Sequence, residues 1–195
     1  MSAEFAEKAK RWRYPAVFLL AFALRAVFLV QWSGLPYLGA LSADAWAYDK
    51  WALEIMDGGL LRHAAFYQSP LYPYFLAGFY KLFGHHPAGV LWVQALADSC
   101  TCLLVLRLGE RAFGARAGLL AGLLCALYRP FIFSAAVPGK ETFAVLSAAL
   151  FALLALRAGE SGRGRDYFYC GLAGGFAALL RTNALLLLPA VLLWA

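Results

Sequence analysis

Apolar and polar positions along this chain fall into long blocks. Residues 14–32, 88–106, 117–133, 142–156, 167–180 and 184–195 are predominantly apolar. A helix crosses a bilayer with roughly 20 such residues, fewer at the short end of the range. The pattern predicts an all-α fold, a polytopic transmembrane helix bundle with six spans. The first run is long and lacks a small-residue cleavage site, so it reads as a span and not as a removable signal. The closing string LLLLPAVLLWA stops inside an apolar run without a polar flank. Residues 1–195 are therefore expected to be the N-terminal part of one transmembrane domain in a longer protein.

The longest polar interruption is the loop 33–87. It carries Asp44, Asp49, Glu54, Asp57, His63, His85 and His86 among many aromatics. Within it, 43–56 places Trp46, Trp51 and Ile55 at helical spacing, with Ser42 or Asp44 as cap. Residues 71–83 are apolar but too short to span, and they include Pro73 and Lys81. This segment is expected to lie along the membrane surface with its aromatics at headgroup level. Gly58-Gly59 separates the two helices. Long ordered loops are usually functional, and the chemistry is expected here.

Composition and charge sharpen this picture. The chain is 63% hydrophobic and only 14% charged, which excludes an ordinary soluble domain. Its net charge of +6 does not point to nucleic acid, because the basic residues sit between the apolar runs. Ten of the 17 basic residues fall at Lys8, Lys10, Arg11 and Arg13, at Arg107, Arg111 and Arg116, and at Arg157, Arg163 and Arg165. The positive-inside rule assigns these three segments to the cytoplasm. The N-terminus is then cytoplasmic, and loop 33–87 lies outside. Cys100, Cys102, Cys125 and Cys170 lie in apolar runs without metal-ligand spacing and read as small apolar residues.

Several residues could carry chemistry. Asp44, soon after the first span, could act as a general base for an acceptor hydroxyl or amine; alternatively it caps a helix. Asp49, Glu54 and Asp57 read as a solvated helix face. Lys140-Glu141 sits in the turn between the third and fourth runs, on the same expected face as Asp44. Two acids there could share an acceptor, a metal or a water; alternatively Lys140 snorkels and Glu141 favours a helix N-terminus. Arg181 interrupts an apolar run, and a guanidinium can grip a lipid-linked phosphate bidentately; anchoring at the interface is the other reading. Arg25 and Arg129 are weaker candidates of the same kind. Asp98, one turn after Gln94, is either a proton relay or a polar partner for another helix. The histidines lack the spacing of a zinc site. No residue is assigned as a metal ligand, and a divalent ion remains an open alternative.

The order of these features resembles a known family. The outer Asp after the first span, the string YQSPLYPYFLAGFYKLFG, then LRLGERAFGARAGLLAGLL, the turn with GKE, and GLAGGFAALLRTNALLLLPAVLL are similar to the bacterial membrane glycosyltransferases of the GT-C class. The nearest resemblance is to the dolichyl-phosphate-mannose–protein mannosyltransferase-like proteins. It implies transfer of a sugar, hexosyl or pentosyl, from a polyprenyl-phosphate donor to a lipid, glycan or protein acceptor at the outer face of the plasma membrane, the inner membrane of such bacteria. By this resemblance Asp44 matches the catalytic first-loop Asp, and Glu141 matches a second acid. Aminoarabinose transferases of the class carry an acidic-Lys-Pro-Pro string whose Lys contacts lipid phosphate. Here that place reads Tyr67-Gln68-Ser69-Pro70, so Tyr67 and Gln68 occupy the substrate-binding position, and Lys140 and Arg181 stand in for the missing Lys. Two other classes compete with this reading. A transporter or lipid flippase would place charges at span midpoints, as Asp98 hints. A non-catalytic membrane scaffold would leave the length of the outer loop without a reason.

Overall fold

The computed structural model of the chain describes residues 3–34, 43–58, 68–187 and 189, with side chains from Trp12 onward except at Ala43. Among the described residues there are eight α-helices and no strand. They are α1 (Ala3–Ser33), α2 (Ala43–Met56), α3 (Leu71–Phe83), α4 (Pro87–Phe113), α5 (Ala115–Leu127), α6 (Arg129–Ala135), α7 (Glu141–Ser161) and α8 (Gly164–Leu180), followed by a 3₁₀ turn, Thr182–Leu186. The all-α expectation holds, and both helices expected within the 33–87 loop are present with the expected bounds.

Among the described residues, three helices are long and apolar enough to cross a membrane: Trp12–Ser33, Pro87–Phe113 and Glu141–Ser161. The run read as one span over 117–133 is instead a bent pair. α5 and α6 meet at 54°, because Tyr128 leaves helical geometry at ψ 105° and Pro130 begins a new helix. Helix α8 has 17 residues, about 25 Å at 1.5 Å per residue. Most of the run 184–195 lies outside the described residues. Helix α4 continues beyond 106 to Phe113, carrying a polar cluster at its end.

Small residues set the α4–α5 seam. The chain reverses at Gly114, where φ is 91°. A Cβ at Gly118 would come within 2.6 Å of the Leu106 carbonyl oxygen, and one at Gly122 within 2.8 Å of Leu106 Cβ. The Gly118–Gly122 pair thus lets two backbones touch where lipid offers no hydrophobic drive for helix association. Away from the seam, Leu120, Leu124 and Leu127 on α5 and Phe168, Leu172, Phe176 and Leu179 on α8 are exposed, as lipid-facing side chains should be.

Charges inside the bundle are paired. Arg25 of α1, fully buried, places its Nε 2.5 Å from Asp98 Oδ2 on α4. Its guanidinium also donates to the carbonyls of Ala21 and Ala126 at 2.9 and 3.1 Å. Asp98 is therefore a helix–helix partner and not an isolated acid, the second of the two readings above. At the end of the bundle holding the α4–α5 turn, Glu110 accepts from the Tyr14 hydroxyl at 2.5 Å and pairs with Arg13 at 2.7 Å.

Candidate functional site

The opposite end gathers the starts of α4 and α7, the end of α8, and both short helices. Tyr48, Trp51, Ala52 and Ile55 of α2 pack against Tyr72, Leu76, Ala77 and Tyr80 of α3, with Val90, Ala144 and Leu180 completing the cluster. Asp49 is not a solvated face residue. It accepts from the Tyr80 hydroxyl at 2.6 Å and lies 2.9 Å from His85 Nε2. It thereby ties α2 to α3 and to the link into α4.

Tyr48 sits at the centre of this end. It is one helical turn after Asp44, so both side chains lie on one side of α2. Its ring is buried and meets Tyr72 edge-on at 5.1 Å. Lys140 Nζ stands 5.9 Å from its centroid, a cation–π distance. Burial pushes the Tyr48 phenol well above its ordinary pKa, and the carboxylates of Glu141 and Asp44 push it further, while Arg181 opposes them. Charged residues from α2, the turn before α7 and the end of α8 thus lie within electrostatic reach of this phenol. The Tyr48 hydroxyl has no hydrogen-bond partner among the described residues.

The turn carrying Lys140 and Glu141 is held from below by Gln94 of α4. The Gln94 amide nitrogen donates to the carbonyls of Val137 at 2.8 Å and of Ser134 and Ala135 at 3.3 Å. Its oxygen accepts from the Tyr72 hydroxyl at 2.7 Å and from Gly139 N–H at 3.3 Å. Gly139 itself leaves room for chemistry, since a Cβ there would lie 2.6 Å from Glu141 Oε2. The Glu141 carboxylate therefore folds back over a position without a side chain, and it opens α7 where the helix dipole favours an acid.

Gln68 donates from Nε2 to Asp44 Oδ1 at 3.0 Å. Asp44, Glu141 and Arg181 are exposed, and Lys140 and Gln68 are half-buried. Neither Lys140 nor Arg181 forms an ion pair with a described residue, whereas Arg13, Arg25, Arg107, Arg111 and Arg157 each pair with an acid. Tyr67 and His63 lie outside the described residues. Arg129 is exposed at the start of α6. Among the described residues, no three His, Cys, Asp or Glu side chains are grouped to hold a metal ion. Tyr48 and Gln94 were not singled out from sequence. The available signals were a tyrosine one turn after Asp44, and a lone amide in an apolar helix.

Beside this site an apolar groove of about 240 Å³ runs between α3, α7 and α8. Leu71, Tyr72, Phe75, Phe143, Phe176 and Leu180 line it, with Ser147. Phe143 is two residues from Glu141, and Leu180 directly precedes Arg181.

A family model described as dolichyl-phosphate-mannose-protein mannosyltransferase matches residues 67–195. The matched part takes in Gln68, Gln94, Lys140, Glu141 and Arg181; Asp44 and Tyr48 precede it. No curated protein and no solved structure matches the chain.

Proposed function

The chain belongs to the dolichyl-phosphate-mannose-protein mannosyltransferase family, an integral-membrane glycosyltransferase family by that match and by its apolar helices, and from that premise we propose that it moves a sugar from a polyprenyl-phosphate donor to an acceptor hydroxyl at the outer face of the plasma membrane. The observation that carries the proposal is the grouping at one end of the bundle of Asp44, one turn before Tyr48, Lys140, 5.9 Å from the Tyr48 ring, Glu141 beside it, and Arg181, next to Leu180 of the same buried cluster. Two carboxylates at the end of the bundle that holds two cations without acid partners among the described residues suit a reaction in which an anionic phosphate leaves as a hydroxyl is deprotonated.

In this reading the acceptor oxygen attacks the anomeric carbon. The bond from that carbon to the phosphate oxygen breaks, and its electron pair stays with the phosphate. Asp44 takes the acceptor's proton. Lys140 and Arg181 stabilise the charge that develops on the departing phosphate, Arg181 with a bidentate fork. Glu141, the second acid, favours the oxocarbenium-like sugar carbon. The first isoprene units of the donor occupy the apolar groove that begins at Leu180, next to Arg181. The positive-inside rule supports the same face: the basic segments lie at the opposite end of the helices and belong to the cytoplasm.

The test is sugar transfer from a polyprenyl-phosphate donor by the full-length protein in proteoliposomes. Asp44→Asn keeps size and removes the base, so turnover is expected to fall about 100-fold or more with donor binding retained. Arg181→Ala is expected to weaken donor binding first. Near-normal transfer by Asp44→Asn would sink the assignment.

A further inference from the structure

A separate pocket of about 310 Å³ opens along α2, lined by Trp46, Tyr48, Lys50, Trp51, Glu54 and Gln68. Its size is at the low end of small-ligand cavities, which run roughly 300–1,000 Å³. The proposed reaction has so far left this pocket idle.

The chemistry of the walls selects an occupant. Trp46 is 55% exposed although it lies on a helix whose other face is buried, so a large aromatic plate is presented at the pocket. Lys50 Nζ stands 5.3 Å from the Trp46 ring, and Glu54 follows one turn later. Gln68 must direct its amide nitrogen to Asp44, because a carboxylate only accepts. Its Oε1 is then left buried without a partner among the described residues, as is the Tyr48 hydroxyl. A buried polar atom left unpaired costs about 1–3 kcal/mol. An occupant bearing hydroxyls would relieve both atoms after a small turn of each side chain. An acyl chain would relieve neither.

The occupant therefore has an apolar face for Trp46 and a rim of hydroxyls for Gln68, Tyr48 and the charged edge. A pyranose ring has this form, with its C–H groups on one face and its hydroxyls around the edge. Gln68 also spans from the pocket to Asp44, so a hydroxyl held by its Oε1 is next to the carboxylate proposed as base. We infer that this pocket is the acceptor subsite and that the acceptor is a carbohydrate, one of whose ring hydroxyls receives the sugar. The inference rests on the reading of Asp44 as the base, and the pocket can be tested apart from it.

The experiment is saturation-transfer NMR on the full chain in lipid nanodiscs prepared without sugar-headed detergent. The probes are methyl α-mannoside, methyl α-glucoside and methyl β-galactoside, each at about 10 mM, where a millimolar site is mostly filled. At least one glycoside is expected to show saturation at its ring protons. Trp46→Ala should cut that signal about tenfold, and Trp46→Tyr should restore part of it, because stacking needs a ring face. Trp46 is exposed, so neither change threatens the fold. Absence of signal for all three glycosides, or an unchanged signal in Trp46→Ala, would overturn the pocket assignment even if Asp44→Asn abolishes transfer. Glycoside binding that depends on Trp46, together with normal transfer by Asp44→Asn, would instead uphold the pocket and remove the base.

Discussion

Gln94→Leu offers the sharpest test of how the site is held. The side chain is fully buried, and leucine fills nearly the same volume without a polar atom. The change orphans the Tyr72 hydroxyl, Gly139 N–H and the Val137 carbonyl, whose bonds to Gln94 measure 2.7, 3.3 and 2.8 Å. At about 1 kcal/mol for each group left buried and unpaired, the loss comes to about 3 kcal/mol if nothing moves. The turn 134–139 will move to recover part of it, and Lys140 and Glu141 move with it. A misplacement of about 1 Å in a catalytic group costs about 100-fold in rate. We expect kcat to fall between about tenfold and 100-fold while the apparent affinity for donor, set by the groove and Arg181, changes less than about threefold. Leu106→Ala is the control. Leu106 is fully buried in the α4–α5 seam at the other end, and such truncations cost about 2–5 kcal/mol. The assay is steady-state sugar transfer by each full-length variant in nanodiscs, alongside thermal unfolding. If Gln94→Leu transfers sugar within about twofold of wild type, or if Leu106→Ala slows turnover as much at equal loss of stability, Gln94 does not position the turn.

Membrane orientation can be read by cysteine labelling in a variant lacking Cys100, Cys102, Cys125 and Cys170. Asp57→Cys is expected to react with an impermeant thiol reagent from outside and Arg163→Cys only after permeabilisation; equal labelling would refute the topology. Alkaline titration at 295 nm reports on the site's tyrosines. Burial first, then the acids beside them, raises the Tyr48 and Tyr80 phenols above their ordinary range, so their folded pKa exceeds the unfolded value. Their contribution to stability is whole below about pH 10 and is lost as pH rises through the folded value. These two phenols should therefore ionise only with unfolding, and early ionisation of both would contradict the packing of α2 on α3.

Much of this arrangement was legible because it depends on local pattern. The bounds of α2 and α3 followed from apolar spacing, the Gly58-Gly59 break and the run after Pro70. Asp44, Lys140, Glu141 and Arg181 were expected to share a face because each adjoins the end of an apolar run; Lys140 stands 5.9 Å from the Tyr48 ring, and Arg181 directly follows Leu180, which shares a buried cluster with Tyr48. The bend at Tyr128 was missed because hydropathy continues smoothly through Pro130 while helical geometry does not. Asp49 was misread for a different reason. Its partners, Tyr80 and His85, are 31 and 36 positions away, and helical periodicity cannot see them. Gln94 is the extreme case, since the groups it holds lie 22 to 45 positions away. One polar residue in an apolar helix signals a partner without saying which.

The placement of charge separates the enzymatic reading from transport. A carrier that moves an ion or headgroup through the bilayer needs ionisable groups near mid-membrane that can change partners. Here the mid-bundle acid is held by a guanidinium that also engages two backbone carbonyls from different helices. Releasing Asp98 would strand a buried cation, which costs about 3–5 kcal/mol when one partner of such a pair is lost. That arrangement fastens α1 to α4 and α5. Fixed helices suit an active site, whose groups must be in place before charge develops. Lys140 and Arg181, without acid partners among the described residues, stand near Phe143 and Leu180 of the apolar groove, where a lipid-linked phosphate can reach them without crossing the bundle. Removing one partner of the Arg25–Asp98 pair should therefore damage folding and transfer together, whereas removing Arg181 should weaken donor binding in a protein that remains folded.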